Sequence, residues 1–312
     1  LARQQLASVI DVLNSDLNGR YMFGGSTTDQ PPVASLDTLL NGGGGKAGFI
    51  QVAAERLAAD KGADGLGRLA IAQAGDTVTL GEDGVHPFGL KLDGLVDSGS
   101  SATLTQPSGS PPSSAVQFTG TPADNEVFSI RLKLPDGTSE TIQLQATSAD
   151  AGPGQFRIGA TGADTAANFA AALGDSISGV ANTRLAAAST YAAADNFFNG
   201  SGDTPMRVDG PPFETATALV AGTPANTVQW YNGSDAPSAQ NSVAARIDQS
   251  TTVGYGVQAN ETGIAGLMKN LAAMAVSSFP DGDADAPARY TAMADRQLQR
   301  LSADSNDGTA SL

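Results

Sequence analysis

The sequence predicts an α+β protein: an elongated helical bundle made from both chain ends, with a β-rich domain inserted between them. Three observations carry this. Apolar residues recur at three- and four-residue steps near both termini. The middle of the chain alternates apolar and polar residues at period two, and clusters of Gly and Pro separate the two regimes. The expected division gives residues 1–48 and 218–312 to the helical part and 49–217 to the insertion. A chain of 312 residues has the length for two such domains.

Near the start, Leu6, Val9, Ile10, Leu13 and Leu17 form one helical stripe, and Asn18-Gly19 is expected to stop it. The run Gly42 to Gly45 marks a flexible outgoing connection. Residues 98–114, rich in Ser, Gly and Pro, read as a long loop. Phe128, Ile130, Leu132 and Leu134 then alternate with polar residues, Pro135-Asp136-Gly137 supplies a turn, and a second strand covers 141–144. A short strand is expected at 155–158, and a helix over 164–177 with Asp164 or Thr165 as its N-cap. Gly and Pro cluster again over 199–212. Ile264, Leu267, Met268, Leu271 and Met274 define a helix over 262–277, and Tyr290, Met293, Leu298 and Leu301 another over 288–302. Stripes this narrow are unstable alone, so the end helices are expected to bury them on one another. With both connections leaving one end of the bundle, the expected shape is a rod-like base carrying a lobe.

Composition excludes several functions. Lys and Arg number 17 against 32 Asp and Glu, for a net charge of −15. Such a surface repels phosphate backbones and anionic lipid, so no nucleic-acid partner and no membrane insertion is expected. No apolar run approaches the roughly 20 residues that span a bilayer. The absence of cysteine removes disulfides, thiolate metal sites and Cys nucleophiles, and the single histidine, His86, excludes any site needing two imidazoles. The chain opens on Leu rather than Met and shows no basic-then-apolar leader, so residue 1 reads as an interior position of a longer chain.

Four motifs invite chemistry and fall short of it. Gly42 to Gly45 with Lys46 lacks the first glycine of a phosphate loop, where Leu40 stands, and has Ala47 in place of the Mg²⁺-binding Ser or Thr. Asp281, Asp283 and Asp285 alternate as in a calcium loop, yet Ala286 replaces the sixth-position Gly and Ala292 the bidentate Glu. The alternative is a helix start, where carboxylates favour the dipole and Pro287 suits the first turn. No nucleophile elbow surrounds any serine that His86 could activate. Asn199, Asn232 and Asn260 each begin a glycosylation sequon, a pattern too common to decide anything. The expectation is no enzyme, no cofactor and no catalytic or metal-binding residue.

Three stretches carry a resemblance. The first is Asn18-Gly19-Arg20-Tyr21-Met22-Phe23-Gly24-Gly25, followed by Thr27, Thr28, Asp29 and Pro31-Pro32. The second is Trp230-Tyr231-Asn232-Gly233, then Ser242 to Ile247, then Tyr255-Gly256-Val257 with Ala259, Asn260 and Glu261 leading into a helix. Both resemble the hook–filament junction protein of bacterial flagella, the third hook-associated protein, and related flagellins. Phe128 to Leu144 with residues 164–173 is similar to a module inserted in the variable regions of flagellins. The resemblance implies a structural subunit of the flagellum, the junction adaptor ahead of a filament flagellin. Apart from the resemblance, a cell-surface glycan-binding or adhesin module using the inserted domain is the lower alternative. The resemblance also implies hook-associated proteins and flagellin as partners, an export chaperone, and an extracellular place reached through the flagellar type III channel. The family's extreme terminal helices lie outside this sequence, so the chain is expected to be monomeric. Beside the resemblance, Tyr21 and Phe23 are expected to bury their rings at the bundle end, with Trp230 and Tyr231 covering the other side. Gly24 and Gly25 are expected to reverse the chain with positive φ.

Overall fold

The computed structural model describes residues 1–199 and 203–310. Helix α1 (Ala2–Leu13) buries Leu6, Ile10 and Leu13 on the predicted stripe. It ends before the Asn18-Gly19 pair is reached. Beyond its last turn, the Asn14 side chain donates to the Val33 carbonyl at 2.9 Å and accepts from the Val33 N–H at 3.0 Å. Asn18 and Gly19 form the tight turn between β1 (Asp16–Leu17) and β2 (Arg20–Tyr21), both with positive φ, as the twist of a two-residue hairpin requires. Leu17 thereby leaves the stripe and is exposed.

Helix α2 (Leu36–Asn41) starts on a Ser35 cap. The glycine run after it is a closed hairpin rather than a flexible connection. Gly43 and Lys46 exchange both backbone hydrogen bonds at 3.1 Å, with positive φ from Gly42 to Gly45. Helix α3 (Phe49–Lys61) follows directly.

Eight strands come next: β3 (Leu69–Ala74), β4 (Thr77–Glu82), β5 (Lys91–Asp97), β6 (Ala102–Ser108), β7 (Ser113–Phe118), β8 (Val127–Lys133), β9 (Ser139–Thr147) and β10 (Gln155–Arg157). They make two four-stranded sheets, ordered β3-β4-β7-β6 and β10-β9-β8-β5. The β8–β9 hairpin is the one predicted, with Phe128 opposite Leu144 and Ile130 opposite Ile142. The expected loop at 98–114 is mostly the β6–β7 hairpin. Strand β6 is an edge strand whose Thr, Gln and Ser residues carry little apolar signal, which hides it from a hydrophobic pattern. Helix α4 (Gly162–Val180) covers the sheets. Thr161 is its N-cap, and Asp164 completes a capping box from the third helical position instead of capping the helix itself. Phe118, Phe128, Phe156 and Phe169 meet beneath it with ring centroids 5.2–6.0 Å apart.

A π-helical turn (Ala181–Leu185) joins α4 without interruption to α5 (Ala186–Phe197). Two small hairpins, β11 (Met206–Val208) with β12 (Leu219–Ala221) and β13 (Ala244–Arg246) with β14 (Thr252–Gly254), lead to α6 (Thr262–Val276) and α7 (Ala286–Ala310).

The expected elongated bundle of the two chain ends, with its rod-like base, is not what forms. Helices α1, α6 and α7 are scattered around α3 and α5, which come from the middle of the chain and share their core. That core joins Leu6 and Ile10 to Phe49, Val52, Tyr191, Phe197, Trp230, Met268 and Met293. Length is one reason: 12 residues of α1 span about 18 Å, too little for the seam of a rod. The other is what fills the space. Aromatic rings from distant segments occupy it, while Tyr290, Leu298 and Leu301 of the predicted α7 stripe face solvent.

Candidate functional site

The two motif stretches from opposite ends of the sequence meet in one hydrogen-bonded unit. Extended backbone at 31–34 runs antiparallel to 230–232, with the Ala34 N–H donating to the Trp230 carbonyl at 3.0 Å and the Asn232 N–H to the Pro32 carbonyl at 2.7 Å. Beside it, the Gly25 N–H donates to the Val257 carbonyl at 3.0 Å and the Ala259 N–H to the Phe23 carbonyl at 2.9 Å. Ser234 binds at the crossing. Its N–H donates to the Gly24 carbonyl at 3.0 Å and its hydroxyl accepts from the Ser26 N–H at 2.8 Å.

The glycines stand where backbone crowds backbone. A Cβ on Gly25 would fall on the Ser234 hydroxyl, and its φ is +61°. Gly24 needs no positive φ, contrary to expectation; its hydrogen faces the Thr27 carbonyl, which a Cβ would strike. Gly233 lies under the Tyr231 phenol with no room for a side chain.

Trp230 is 1 % exposed, and its indole N–H donates to the Asn199 carbonyl at 3.0 Å. Its ring meets Phe198 edge-to-face, and Phe198 meets Phe49 the same way, while Tyr231 lies tilted against it on the other side. The Tyr231 hydroxyl donates to the Ser234 carbonyl at 2.9 Å. Burial pushes this phenol above the ordinary tyrosine range, with the charges of Asp235 and Glu261 adding to the shift. Phe23 packs on the same core, Tyr21 is half-buried and Arg20 is exposed.

On the return side, the Asn260 amide donates to Asp235 at 2.8 Å. The Glu261 carboxylate accepts from the Gln258 N–H at 3.1 Å, placing negative charge at the start of α6 where the helix dipole favours it. Gly256 closes the β13–β14 hairpin; its N–H donates to the Gln240 carbonyl at 3.0 Å, and a Cβ would fall on the Ser242 hydroxyl. Tyr255 next to it is 60 % exposed.

The structure thus unites Phe23, Gly24, Gly25, Trp230, Gly233, Asn260 and Glu261. Asn18, Gly19, Arg20 and Tyr21 form one outlying hairpin, and Tyr255 and Gly256 lie at the foot of another. Sequence reasoning missed Asn14 and met Asn199 and Ser234 only as parts of sequons; their partners are far away in the chain, and no local pattern announces them.

The remaining candidates have structural uses. His86 is buried, with Nε2 at 2.6 Å from Asp83 and Nδ1 accepting the Phe88 N–H at 3.3 Å, which assigns the proton to Nε2. Asp83 also holds Arg68 at 2.5 Å, so the imidazole helps tie the 83–89 segment down. Asp283 pairs with Arg289 at 2.5 Å and accepts from the Asp285 N–H at 2.9 Å, ahead of α7. The Arg289 hydrogen bond and that backbone contact hold the Asp283 carboxyl below its usual range. Among the described residues no three His, Asp or Glu side chains are grouped to hold a metal, and no helix is long and apolar enough to cross a membrane. Gly200 and Ser201 of the Asn199 sequon lie outside the described residues. Comparison with known protein families, with curated proteins and with solved structures finds no match to this chain.

Proposed function

We propose that the chain is a structural subunit of the bacterial flagellum, the hook–filament junction adaptor, working by assembly rather than by chemistry. The observation that carries this reading is that the two resembling stretches meet, residues 23–32 against 230–234 and 257–259, in one hydrogen-bonded unit. Local resemblance in two unconnected places is weak; two places that pack together behave as one recognisable feature. The exposed apolar side chains support it. Val12, Leu17, Met22, Tyr255, Leu298 and Leu301 are all exposed, and large apolar side chains at the surface suit faces that neighbours cover. An adaptor would present one face to hook-associated proteins and another to flagellin, with many modest contacts summing to a stiff joint. Export through the flagellar channel with a chaperone, to a place outside the cell, belongs to the same proposal.

A filament flagellin is the second reading, favoured by the β8–β9 hairpin and α4, the part similar to flagellin insertions. Antibody labelling of intact bacteria separates the two. Label confined to the distal end of the hook, with filament protein shed into the medium when the gene is deleted, supports the adaptor. Label along the filament overturns it in favour of flagellin, and label on neither structure removes the flagellar reading altogether.

A further inference from the structure

The sequence holds four Asn-Gly pairs, and three of them, Asn18-Gly19, Asn41-Gly42 and Asn232-Gly233, lie within the described residues. Such a pair is chemically labile. The glycine nitrogen, once deprotonated, attacks the asparagine Cγ; the bond from Cγ to the amide nitrogen breaks and ammonia leaves. Water then opens the resulting succinimide at either carbonyl, leaving aspartate or isoaspartate. Glycine favours the reaction because no Cβ hinders the approach. A glycine N–H already donating to a fixed acceptor is held out of it.

The three pairs differ in that respect. The Gly19 N–H donates to the Asp16 carboxylate at 2.7 Å. The Gly42 N–H donates to the Thr38 carbonyl at 2.9 Å, and the Asn41 amide is itself tied to Asp37 at 2.6 Å. The Gly233 N–H has no acceptor among the described residues, and the exposed Asn232 side chain beside it is held by no partner there. The fold also fixes the dipeptide, since the Tyr231 phenol leaves no space for a Cβ at 233. A tight packing demand therefore places the labile pair in the open.

We propose that Asn232 is a spontaneous modification site, converting to aspartate and isoaspartate ahead of Asn18 and Asn41 in the folded chain. The proposal stands apart from the flagellar reading. The product matters because isoaspartate lengthens the main chain by one methylene between two anchors, the Asn232 N–H on Pro32 and the Ser234 N–H on Gly24. Both cannot then keep their present partners, so the joint between the chain ends loosens.

The test ages the folded protein in mildly alkaline buffer and maps its peptides by mass spectrometry, with isoaspartyl methyltransferase labelling to identify the isomer. A parallel sample ages in urea. Asn232 should convert several-fold faster than Asn18 and Asn41 when folded, and the three rates should converge in urea. Asn18 or Asn41 keeping pace with Asn232 in the folded protein overturns the proposal. So does an equal lead for Asn232 in urea, which would assign the effect to neighbouring sequence rather than to the free N–H.

Discussion

In the sheet half of the molecule, Phe118, Phe128, Phe156 and Phe169 come from one stretch of chain, gathered by hairpins and a single covering helix. In the helical half, the rings of Phe49, Phe198, Trp230 and Tyr231 come from three separated segments. Their surfaces differ as well. In the sheet half the large apolar side chains left exposed are Val85 and Val96. In the helical half they include Val12, Leu17, Met22, Ile50, Ile247, Tyr255, Leu267, Tyr290, Leu298 and Leu301. Local pairing lets the sheets close their own core, whereas the long-range half closes its centre and leaves an apolar rim.

The strongest way to break this comparison is to empty each core in turn. Phe169→Ala and Trp230→Ala each remove a fully buried ring and should each cost about 3–5 kcal/mol. Trp230 is the single tryptophan, so its fluorescence in Phe169→Ala reports only on the helical half. If the halves unfold separately, urea should abolish the sheet signal in circular dichroism before the fluorescence changes. Coincident transitions would show one cooperative unit and deny the halves any independence.

Next in size is the ion pair that stitches the halves together. Arg296 of α7 donates to Asp136, in the β8–β9 turn, at 2.7 Å, and both side chains are buried. Removing one partner strands the other, so Arg296→Met should cost about 3–5 kcal/mol, and much less when combined with Asp136→Leu. Burial alone would push the Asp136 carboxyl up, but hydrogen bonding from Thr138 and the Arg296 charge outweigh it and hold the group below its ordinary value. A depressed carboxyl contributes stability above its unfolded pKa of 3.8 and loses it as pH falls through the folded value. Acid titration of Asp136→Asn should therefore show a shallower loss below about pH 4 than the parent does. Parallel acid limbs would remove the pair from this account.

Smaller still is the cost of a methyl group at the joined motifs. Gly44→Ala meets only the left-handed backbone, worth about 1–2 kcal/mol, because nothing lies near its Cβ position. Gly25→Ala meets the same strain and also the Ser234 hydroxyl, so it should melt lower than Gly44→Ala. Equal melting temperatures would mean that the 24–25 and 234 segments are not held against each other.

What could be read in the sequence follows from how far each signal reaches. The β8–β9 hairpin was legible because Phe128, Ile130 and Leu132 alternate and Pro135-Asp136-Gly137 turns the chain, all within a few residues. Strand β6 was not, since an edge strand of Thr and Gln looks like a loop. The α7 stripe was legible as a helix and misleading as a core face: Leu298 repeats at helical spacing but points to solvent, while Arg296 is buried by its pairing with Asp136. At the site, single motif residues stood out, yet their meeting depends on Asn14 with Val33 and Ser234 with Gly24. Such contacts between distant positions leave no trace in either local stretch.

The smallest expected effect on stability tests the meaning of the rim most directly. Leu298 and Leu301 are 67 % and 42 % exposed on one side of α7, while Met293 and Arg296 on the other side hold the helix to the molecule. Replacing Leu298 and Leu301 by Ser removes apolar surface that water already touches, so the unfolding free energy from urea titration should change by no more than about 0.5 kcal/mol. If the rim is covered by neighbouring subunits, the same double variant should still be produced, folded and exported, and yet fail to be incorporated at the hook tip. Matching the exchange with Val85→Ser and Val96→Ser in the sheet half controls for exposure alone, and that pair should incorporate normally. Incorporation of the α7 variant at the parental level would leave the apolar rim without a role in assembly. Loss of both variants together would place the contact surface on the whole molecule and erase the difference between its halves.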